Sequence, residues 1–341
     1  MQMAQIKKPI AITLGEPAGI GPDLTLQLFA NKQKKPLPHM VVFGDAAFLS
    51  ARAERLQLDL DICQISNISE AVDLESDTLP VIEVGATATD APGFLDRENA
   101  GVVTSSIEAA VAAVRGDECR AIVTAPIHKS NLYEAGFKYP GHTEFLAALC
   151  GENGVSPRPV MMLAHKEKRA IPVTIHISLK EVFSRLTVGR IVETVRVAHH
   201  DLQQKFGIAA PRIGVTGLNP HAGEDGAMGD EEETIIKPAL AELKERFDIR
   251  TDGPLPADTA FAPHIWSGYD VIVAMYHDQA LIPVKAIGFD AGVNVTLGLP
   301  IVRTSPDHGT ALSLAGTGDA SPTSMYEAIM LADKMTNKGA A

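Results

Sequence analysis

Three histidines each lie just beyond a short run of apolar and β-branched residues that is typical of a buried strand. His176 follows the run Ala170–Ile175, His221 follows Arg212–Thr216, and His277 follows Asp270–Ala274. If these strands are parallel, the three rings converge on one edge of the sheet, where they could bind a divalent metal and leave positions open for substrate oxygens. The alternative is three hydrogen-bonded loop residues, because their wide spacing along the chain matches no local metal motif.

A second set of polar residues consists of Lys285, Asn294 and Arg303, on and around the strand-like runs Gly292–Val295 and Ile301–Arg303. Arg binds a phosphate group through its planar guanidinium and Lys binds it as a point charge, so the set could hold a phosphate. The alternative is that Lys285 and Arg303 are surface charges of an acidic chain. The residues by themselves favour neither interpretation.

Loops rich in Gly, Pro and polar residues follow several of the predicted strands. They are Gly15–Pro22 (GEPAGIGP), Ala125–Lys129 (APIHK), Gly217–Gly229 (GLNPHAGEDGAMG) and Thr304–Gly318 (TSPDHGTALSLAGTG). Ligands of α/β sheets bind beyond the carboxyl ends of strands, although tight turns also need Gly and Pro for backbone reasons alone. The sequence has no G-x-G-x-x-G, P-loop or H-E-x-x-H motif, which argues against a standard Rossmann, P-loop or zincin site.

The elements that must position these residues alternate between short strands and amphipathic helices, which predicts an α/β fold with mainly parallel strands. Apolar spacings of three and four residues predict a helix over 188–206, and Ser321 with Pro322 predicts the start of a last helix that runs through Met335. Further buried strands are predicted at Ile10–Leu14, Met40–Phe43, Ala121–Thr124 and Pro159–Leu163.

The composition excludes several classes of protein. A chain of 341 residues with 45% hydrophobic and 21% charged residues corresponds to about two folded domains. Its formal net charge of −12 disfavours nucleic acid and anionic membranes as partners. Three scattered cysteines indicate a reducing compartment, and the N-terminal MQMAQIKKP lacks the apolar segment of a secretory signal, so we expect a cytoplasmic protein. The residues after Met335 are expected to form a frayed tail.

Taken together, the loops resemble the PdxA family, the 4-hydroxythreonine-4-phosphate dehydrogenases of vitamin B6 biosynthesis. The resemblance extends from Thr13 to Ala320 in ordered blocks: TLGEPAGIGPD, TAPIHK, PGHTEFL, GLNPHAGEDGAMGDEE, GPLPADTAF, MYHDQALIPVK and VNVTLGLPIVRTSPDHGTALSLAGTGDA. It implies an isocitrate/isopropylmalate dehydrogenase-like fold of two α/β/α domains with a cleft between them. We place the first domain at residues 1–138 and 305–341, formed by both chain ends, and the second at 139–304.

The resemblance also implies roles for particular residues. The metal ligands of the family fall on His176, His221 and His277, and its substrate contacts on His142, Thr143, Lys285, Asn294 and Arg303. Lys285 is in addition a candidate proton acceptor. By analogy of fold, we expect NAD or NADP on the Gly-rich loops, with contacts at Gly217, Asn219, Gly223, Asp307 and Gly309.

The implied reaction is oxidation of 4-phosphooxy-L-threonine at C3 by NAD(P), followed by decarboxylation to 3-amino-2-oxopropyl phosphate and CO2. A divalent metal such as Zn, Mg or Co would act as the Lewis acid. The family also implies a homodimer whose active site is shared, with His277 supplied across the interface. Two alternatives stay open: a related dehydrogenase acting on threonate or erythronate 4-phosphate or on a dihydrodiol carboxylate, and, more remotely, a metallohydrolase that uses the three histidines to activate water.

Overall fold

The apolar runs of the sequence form buried strands, in most cases within two residues of the predicted limits. Ile10–Thr13 and Ala121–Val123 are buried at every position, and Val271–Tyr276 at all but its last. Strands that are buried on both faces carry continuous β-branched and apolar residues instead of an alternating pattern. This is why these segments could be recognised without a periodicity of two.

The computed structural model describes residues 8–74 and 77–337, which divide into two compact units. Unit 1 takes the chain up to Pro159 and from Leu299 onward, and unit 2 is Val160–Gly298. The N-terminal segment considered as a leader and most of the expected tail after Met335 lie outside the described residues. Within the described part of the chain, no helix is long and apolar enough to cross a membrane.

Unit 1 is built on a parallel sheet in the order β3-β4-β2-β1-β5-β12. Its strands, numbered along the whole chain, are β1 Ile10–Thr13, β2 Met40–Gly44, β3 Asp61–Ile65, β4 Thr78–Glu83, β5 Ala121–Val123 and β12 Arg303–Pro306. Its helices are α1 Gly21–Ala30, α2 Ala46–Arg55, α3 Ala100–Arg115, α4 Lys129–Glu134, α5 His142–Leu149 and α12 Thr323–Thr336. The apolar face of α3, including Val103 and Ile107, packs on β1 and β2.

Unit 2 contains a sheet in the order β11-β6-β7-β10-β8-β9, in which β6 pairs antiparallel with β11 and β7 and the others are parallel. The strands are β6 Val160–His165, β7 Lys168–Thr174, β8 Ile213–Thr216, β9 Thr251–Leu255, β10 Val271–Tyr276 and β11 Val293–Leu297. The helices are α6 Leu179–Arg185, α7 Val188–Gln204, α8 Lys237–Phe247, α9 Ala257–Ala260, α10 Pro263–Trp266 and α11 His277–Gly288. Trp266, Leu281 and Val284 belong to a core cluster with Ile272 of β10.

The limits of the units differ from the domain limits expected from the sequence, which assign 139–159 and 299–304 to the second domain. In the structure, α5 packs on α3, and Arg303 of β12 pairs in register with Ile122 of β5. Both segments therefore belong to unit 1.

A buried cluster of charges fixes the loops around α1 and α2. Arg52 is fully buried, and its guanidinium contacts Asp23 at 2.5 Å and Asp90 at 2.6 Å. Burial raises the pKa of the Asp23 carboxyl, and the Arg52 charge opposes this rise. Such a pair is stable only when further hydrogen bonds satisfy the remaining polar atoms.

Backbone groups of two loops supply those further hydrogen bonds. Arg52 Nη2 donates to the carbonyl of Pro17 at 2.6 Å, and Asp23 Oδ2 accepts from the amide of Gly316 at 2.6 Å. The ion pair thus ties the GEPAGIGP loop after β1 to the Gly-rich loop that follows β12. Both loops lie at the carboxyl edge of the unit 1 sheet.

We predict that Arg52→Met lowers the free energy of unfolding by about 3–5 kcal/mol, because it leaves the fully buried carboxylate of Asp23 without its cation and removes one of the two cations that contact Asp90. Urea unfolding at pH 7 measures this loss. Arg55→Met is the matched control, since Arg55 contacts the same Asp90 at 2.8 Å with a side chain that is 46% exposed; we expect a loss of about 1 kcal/mol or less. Equal losses in the two variants would contradict the role assigned to Arg52.

Candidate active site

The strands that precede the three histidines are adjacent and parallel in unit 2, as the sequence predicts. β10 lies between β7 and β8, and the register pairs Tyr276 with Thr174 and Val273 with Val215. The Thr174 hydroxyl donates to the carbonyl of Met275 at 2.8 Å, which holds the ends of β7 and β10 together. His176, His221 and His277 therefore all follow the same edge of one sheet.

Gln279 joins the ends of β8 and β10. Its Oε1 accepts from the hydroxyl of Thr216 at 2.9 Å and from the amide of Met275 at 2.7 Å, while its Nε2 donates to the carbonyl of Gly217 at 2.9 Å. Its amide oxygen and its amide nitrogen are thus both paired, in three hydrogen bonds. Gln279 is part of the MYHDQ block, but the sequence did not reveal its role, because its partners are distant in the chain.

His176 and His277 approach each other at this edge, with ring centroids 5.8 Å apart. Both line a cavity of about 200 Å3, together with Leu179, Tyr276 and other residues. His277 Nδ1 lies 2.7 Å from Asp278 Oδ1. A carboxylate on one ring nitrogen fixes the tautomer and leaves the other nitrogen, Nε2, as a metal donor, as in many metal-binding histidines.

His221 lies in a turn with left-handed backbone conformation, which residues other than glycine rarely adopt. Five consecutive residues from His221 to Asp225 have positive φ, between 43° and 79°. His176 also has a positive φ, of 51°. Left-handed backbone at a non-glycine residue costs about 1–2 kcal/mol and is concentrated at functional sites. Two of the three predicted ligands thus lie on strained backbone.

The buried carboxylate of Glu232 holds the loop that carries His221. Glu232 Oε1 accepts from the amides of Leu218 and Asn219, each at 2.8 Å, and Oε2 accepts from Asn219 Nδ2 at 2.9 Å. A Cβ on Gly217 or on Gly223 would come within 3.0 Å of this carboxylate. These two glycines and Asn219 therefore support the loop itself, and their contact with a cofactor stays a prediction.

Within the described residues of one chain, no group of three or more His, Cys, Asp or Glu side chains is placed to hold a metal ion. The structure brings together the rings of His176 and His277, and His221 lies on the neighbouring loop.

In unit 1, Arg303 forms the centre of a second candidate site. Its side chain is 4% exposed, and Nε and Nη2 donate to the buried hydroxyl of Thr124 at 3.1 and 2.6 Å. Burial lowers the pKa of the guanidinium to about 10. Thr124 directly follows β5, whereas Arg303 begins β12, so pairing of these two strands places both groups together.

His142 begins α5 near Arg303, with Thr143 next to it in the first turn of the helix. The Nε2 atom of His142 is buried and has no hydrogen-bond partner among the described residues. Burial, and then the positive charges of Arg303 and Lys129, hold the pKa of His142 well below its usual range. A buried polar atom without a partner surrounded by positive charges is what an anion-binding site contains before its ligand is bound.

The remaining predicted residues lie elsewhere in the two units. Lys285 is half-buried on α11, with its ammonium 5.8 Å from the centroid of the Phe289 ring. Asn294 lies on β11, opposite Leu163 of β6. In unit 1, the amide of Asp307 donates to Ser324 Oγ at 3.1 Å, and a Cβ on Gly309 would meet no atom within 4 Å. Gly309 thus leaves room for a ligand to approach the backbone.

Comparison with known proteins identifies the family. Residues 36–332 match the family model described as "Pyridoxal phosphate biosynthetic protein PdxA". A protein of Bradyrhizobium diazoefficiens named 4-hydroxythreonine-4-phosphate dehydrogenase is 51% identical over 336 residues, covering 96% of this chain and 97% of that protein. The class of protein is therefore an oxidoreductase.

Solved structures agree over nearly the whole chain. The crystal structure of a 4-hydroxythreonine-4-phosphate dehydrogenase from Klebsiella pneumoniae is 38% identical, with a TM-score of 0.87, and covers 97% of this chain and 100% of that one. A terephthalate 1,2-cis-dihydrodiol dehydrogenase from Burkholderia xenovorans is 28% identical, with a TM-score of 0.65, covering 96% and 98%. The predicted fold class and family resemblance are confirmed, and the chain belongs to the PdxA family.

We predict that Ala222→Gly raises the free energy of unfolding by up to about 1 kcal/mol, because glycine adopts a φ of 52° without steric cost. Ala227→Gly is the control in the same loop; its φ of −67° suits alanine, so glycine there should lower stability by up to about 1 kcal/mol. Thermal unfolding of both variants measures the two shifts. Shifts of the same sign would argue against strain in this turn.

A pH dependence follows from His142. Its pKa is lowered on folding, so only the unfolded chain takes up this proton between the lowered value and about 6.5. The stability that His142 contributes is complete above pH 6.5 and decreases as the pH falls below it, by up to about 1.4 kcal/mol per pH unit. Urea unfolding at pH 7.5 and 5.5 should show a smaller pH-dependent loss in His142→Asn than in the unsubstituted protein. Equal losses would contradict this assignment.

Proposed function

We propose that the chain is an NAD(P)-dependent and divalent-metal-dependent 4-hydroxythreonine-4-phosphate dehydrogenase. It oxidises 4-phosphooxy-L-threonine at C3, and the resulting β-keto acid decarboxylates to 3-amino-2-oxopropyl phosphate and CO2. The observation that carries this proposal is the buried, positively charged site of unit 1, which suits an anionic group in a chain of net charge −12. Membership of the PdxA family and the names of its relatives support the choice of substrate.

The substrate-binding residues recognise mainly the negative charge of the substrate. Arg303 binds and orients an anionic group of the substrate, and the buried Nε2 of His142 forms a hydrogen bond to it. Thr143, in the first turn of α5, adds a hydroxyl donor. Lys285 and Asn294 are the remaining members of the predicted set and would supply an amino group and an amide.

His176, His221 and His277 are the proposed metal ligands. Their imidazole donors suit a Zn or Co ion, with Mg as a further candidate, and the contact between His277 and Asp278 leaves Nε2 of that ring free to bind. The metal would supply Lewis-acid stabilisation of negative charge on oxygen.

A bound NAD or NADP would supply the hydride acceptor for C3 in this proposal. Gly309 fits such a role best among the predicted contacts, because the space beside it is open. Gly217, Asn219 and Gly223 would contribute through the backbone of a loop that Glu232 already holds. We propose Lys285 Nζ, in its neutral amine form, as the acceptor of the C3 hydroxyl proton, which converts it to the ammonium. When CO2 leaves, the electron pair of the broken C–C bond stays on the product carbon and forms a C–H bond with a proton.

We further propose that a homodimer completes each site, with His277 supplied by the second subunit. One observation supports this arrangement. Helices α6 and α11, which border the histidine cavity, carry the exposed apolar side chains of Leu179, Phe183 and Ile282, and such side chains are common where proteins associate.

A second candidate is a dehydrogenase for a related diol, such as threonate or erythronate 4-phosphate or a dihydrodiol carboxylate. The dihydrodiol carboxylate is a candidate substrate because the chain is similar to the terephthalate 1,2-cis-dihydrodiol dehydrogenase. A carboxylate could use the cationic site of unit 1 in place of a phosphate. Arg303 would then recognise the anion of either substrate class.

We predict NAD(P)-dependent absorbance at 340 nm with 4-phosphooxy-L-threonine, and none when the dinucleotide is omitted. Chelation should abolish turnover, and adding Zn, Mg or Co should restore it. A panel containing threonate 4-phosphate, erythronate 4-phosphate and a dihydrodiol carboxylate separates the candidates by kcat/KM. Turnover of the unphosphorylated analogue as fast as the phosphate ester would refute phosphate recognition, and turnover without dinucleotide would indicate a hydrolase.

Mixed dimers test the shared site. His221→Ala and His277→Ala homodimers should each be inactive, whereas mixing them should restore roughly a quarter of the activity, because about half the dimers are mixed and each has one intact site of two. Subunit exchange is checked by native mass spectrometry. If exchanged dimers stay inactive, all three histidines of a site come from one chain.

A further inference from the structure

Lys129, a residue of the TAPIHK block to which the sequence assigned no role, lies against the start of α5. A Cβ built on Gly141 would be 3.2 Å from Lys129 Nζ and 3.3 Å from its Cε. The φ of Gly141 is −175°, which any residue can adopt. Glu144 Oε2 would lie still closer to this Cβ, at 3.0 Å. Glycine is therefore favoured here by the close approach of two side chains, and not by backbone conformation.

The ammonium of Lys129 forms no hydrogen bond or ion pair within the described part of the chain, although the carboxylate of Glu144 also approaches Gly141. Its charge acts on His142, whose buried Nε2 has no partner there either. The positive charge of Arg303 also lowers the pKa of the His142 ring. Lys129 at the start of α4 and Arg303 at the start of β12 thus place two cationic groups near the unpartnered Nε2 of His142.

The backbone of α5 adds to this positive environment. The helix has eight residues, Gly141 is its N-cap, and no side chain caps its first amides. The amide groups at the start of a helix carry partial positive charge and bind anions. Together with the unpartnered nitrogen of His142, the uncapped amides indicate a site for an anion with several oxygens.

Hydrogen bonds from neighbouring loops position Lys129. Two residues after it, Asn131 Nδ2 donates to Glu16 Oε2 at 3.2 Å and to the carbonyl of Asp96 at 3.0 Å. Glu16 is fully buried, and its amide donates to Pro126 at 2.9 Å. The start of α4, which carries Lys129, is thus held against the loop after β1, although the lysine side chain itself is exposed.

We propose that Lys129 is a substrate-binding residue that contacts the phosphate group of the substrate together with His142, Arg303 and the first amides of α5. This deepens the proposed function and rests on it for the identity of the substrate. A phosphate dianion offers three oxygens besides the ester oxygen, so it can accept from the guanidinium, the imidazole and the ammonium at once.

Inorganic phosphate is the probe, and calorimetric titration of the full-length protein gives its Kd. We expect Lys129→Met to weaken phosphate binding at least about tenfold and Lys129→Arg to keep it within about threefold, because only the second retains the charge. Lys34→Met is the matched control, since it removes an exposed lysine of the same unit that lies outside the site; its Kd should not change. The dependence of Kd on salt should also become weaker in Lys129→Met alone.

The inference is overturned if Lys129→Met binds phosphate within twofold of the unsubstituted protein, or if the unsubstituted protein binds none at 20 mM. Lys129→Gln repeats the test should the Met variant misfold. Phosphate binding needs no turnover, so a protein that binds phosphate through Lys129 but oxidises none of the substrates would refute the proposed function, whereas Lys129 would stand as a phosphate-binding residue. If turnover is observed, Lys129→Met should raise KM for the phosphorylated substrate by about tenfold and change kcat little.

Discussion

Parallel pairing of strands is the constraint on which both units depend. It sends every strand's carboxyl end to the same edge of its sheet, so the loops that follow can gather residues that are far apart in the chain. In unit 2 this edge carries His176, His221 and His277 after three neighbouring strands. In unit 1 the pairing of β5 with β12 places Thr124 beside Arg303. Neither arrangement needs a local sequence motif.

Loops at such an edge lack the hydrogen bonds of regular structure, and buried charged groups supply them here. Glu232 accepts from two amides of the His221 loop, and Arg52 donates to a carbonyl of the loop after β1. A charged acceptor or donor forms stronger hydrogen bonds than a neutral one, so a single side chain can hold several residues of irregular backbone. The hydrogen bonds to Glu232 thus offset the conformational cost of the left-handed turn at His221.

The sequence predicted the buried strands and the histidine edge, because continuous apolar runs identify strands that are covered on both faces. It did not predict β3, β4 or β9. Strands β3 and β9 have at most one buried residue each and lack that pattern, whereas the buried part of β4 is only Leu79–Val81 and contains a proline, which disfavours a strand. Nor could it assign roles to Glu232 and Gln279, since each acts through backbone groups that only the folded loop brings near. An acidic run such as 230–233 is typical of the first turn of a helix, and nothing in the run distinguishes Glu232, which the structure buries under the loop.

Unit 1 is assembled from both ends of the chain, with unit 2 inserted between them. During synthesis, β5 therefore leaves the ribosome well before β12, the strand that covers its outer edge. At roughly 5–20 residues per second, on the order of ten to forty seconds separate the two. Unit 2 is complete before unit 1 can close, and through this interval the nascent first half carries an unpaired strand edge of the kind that chaperones protect from association with other chains.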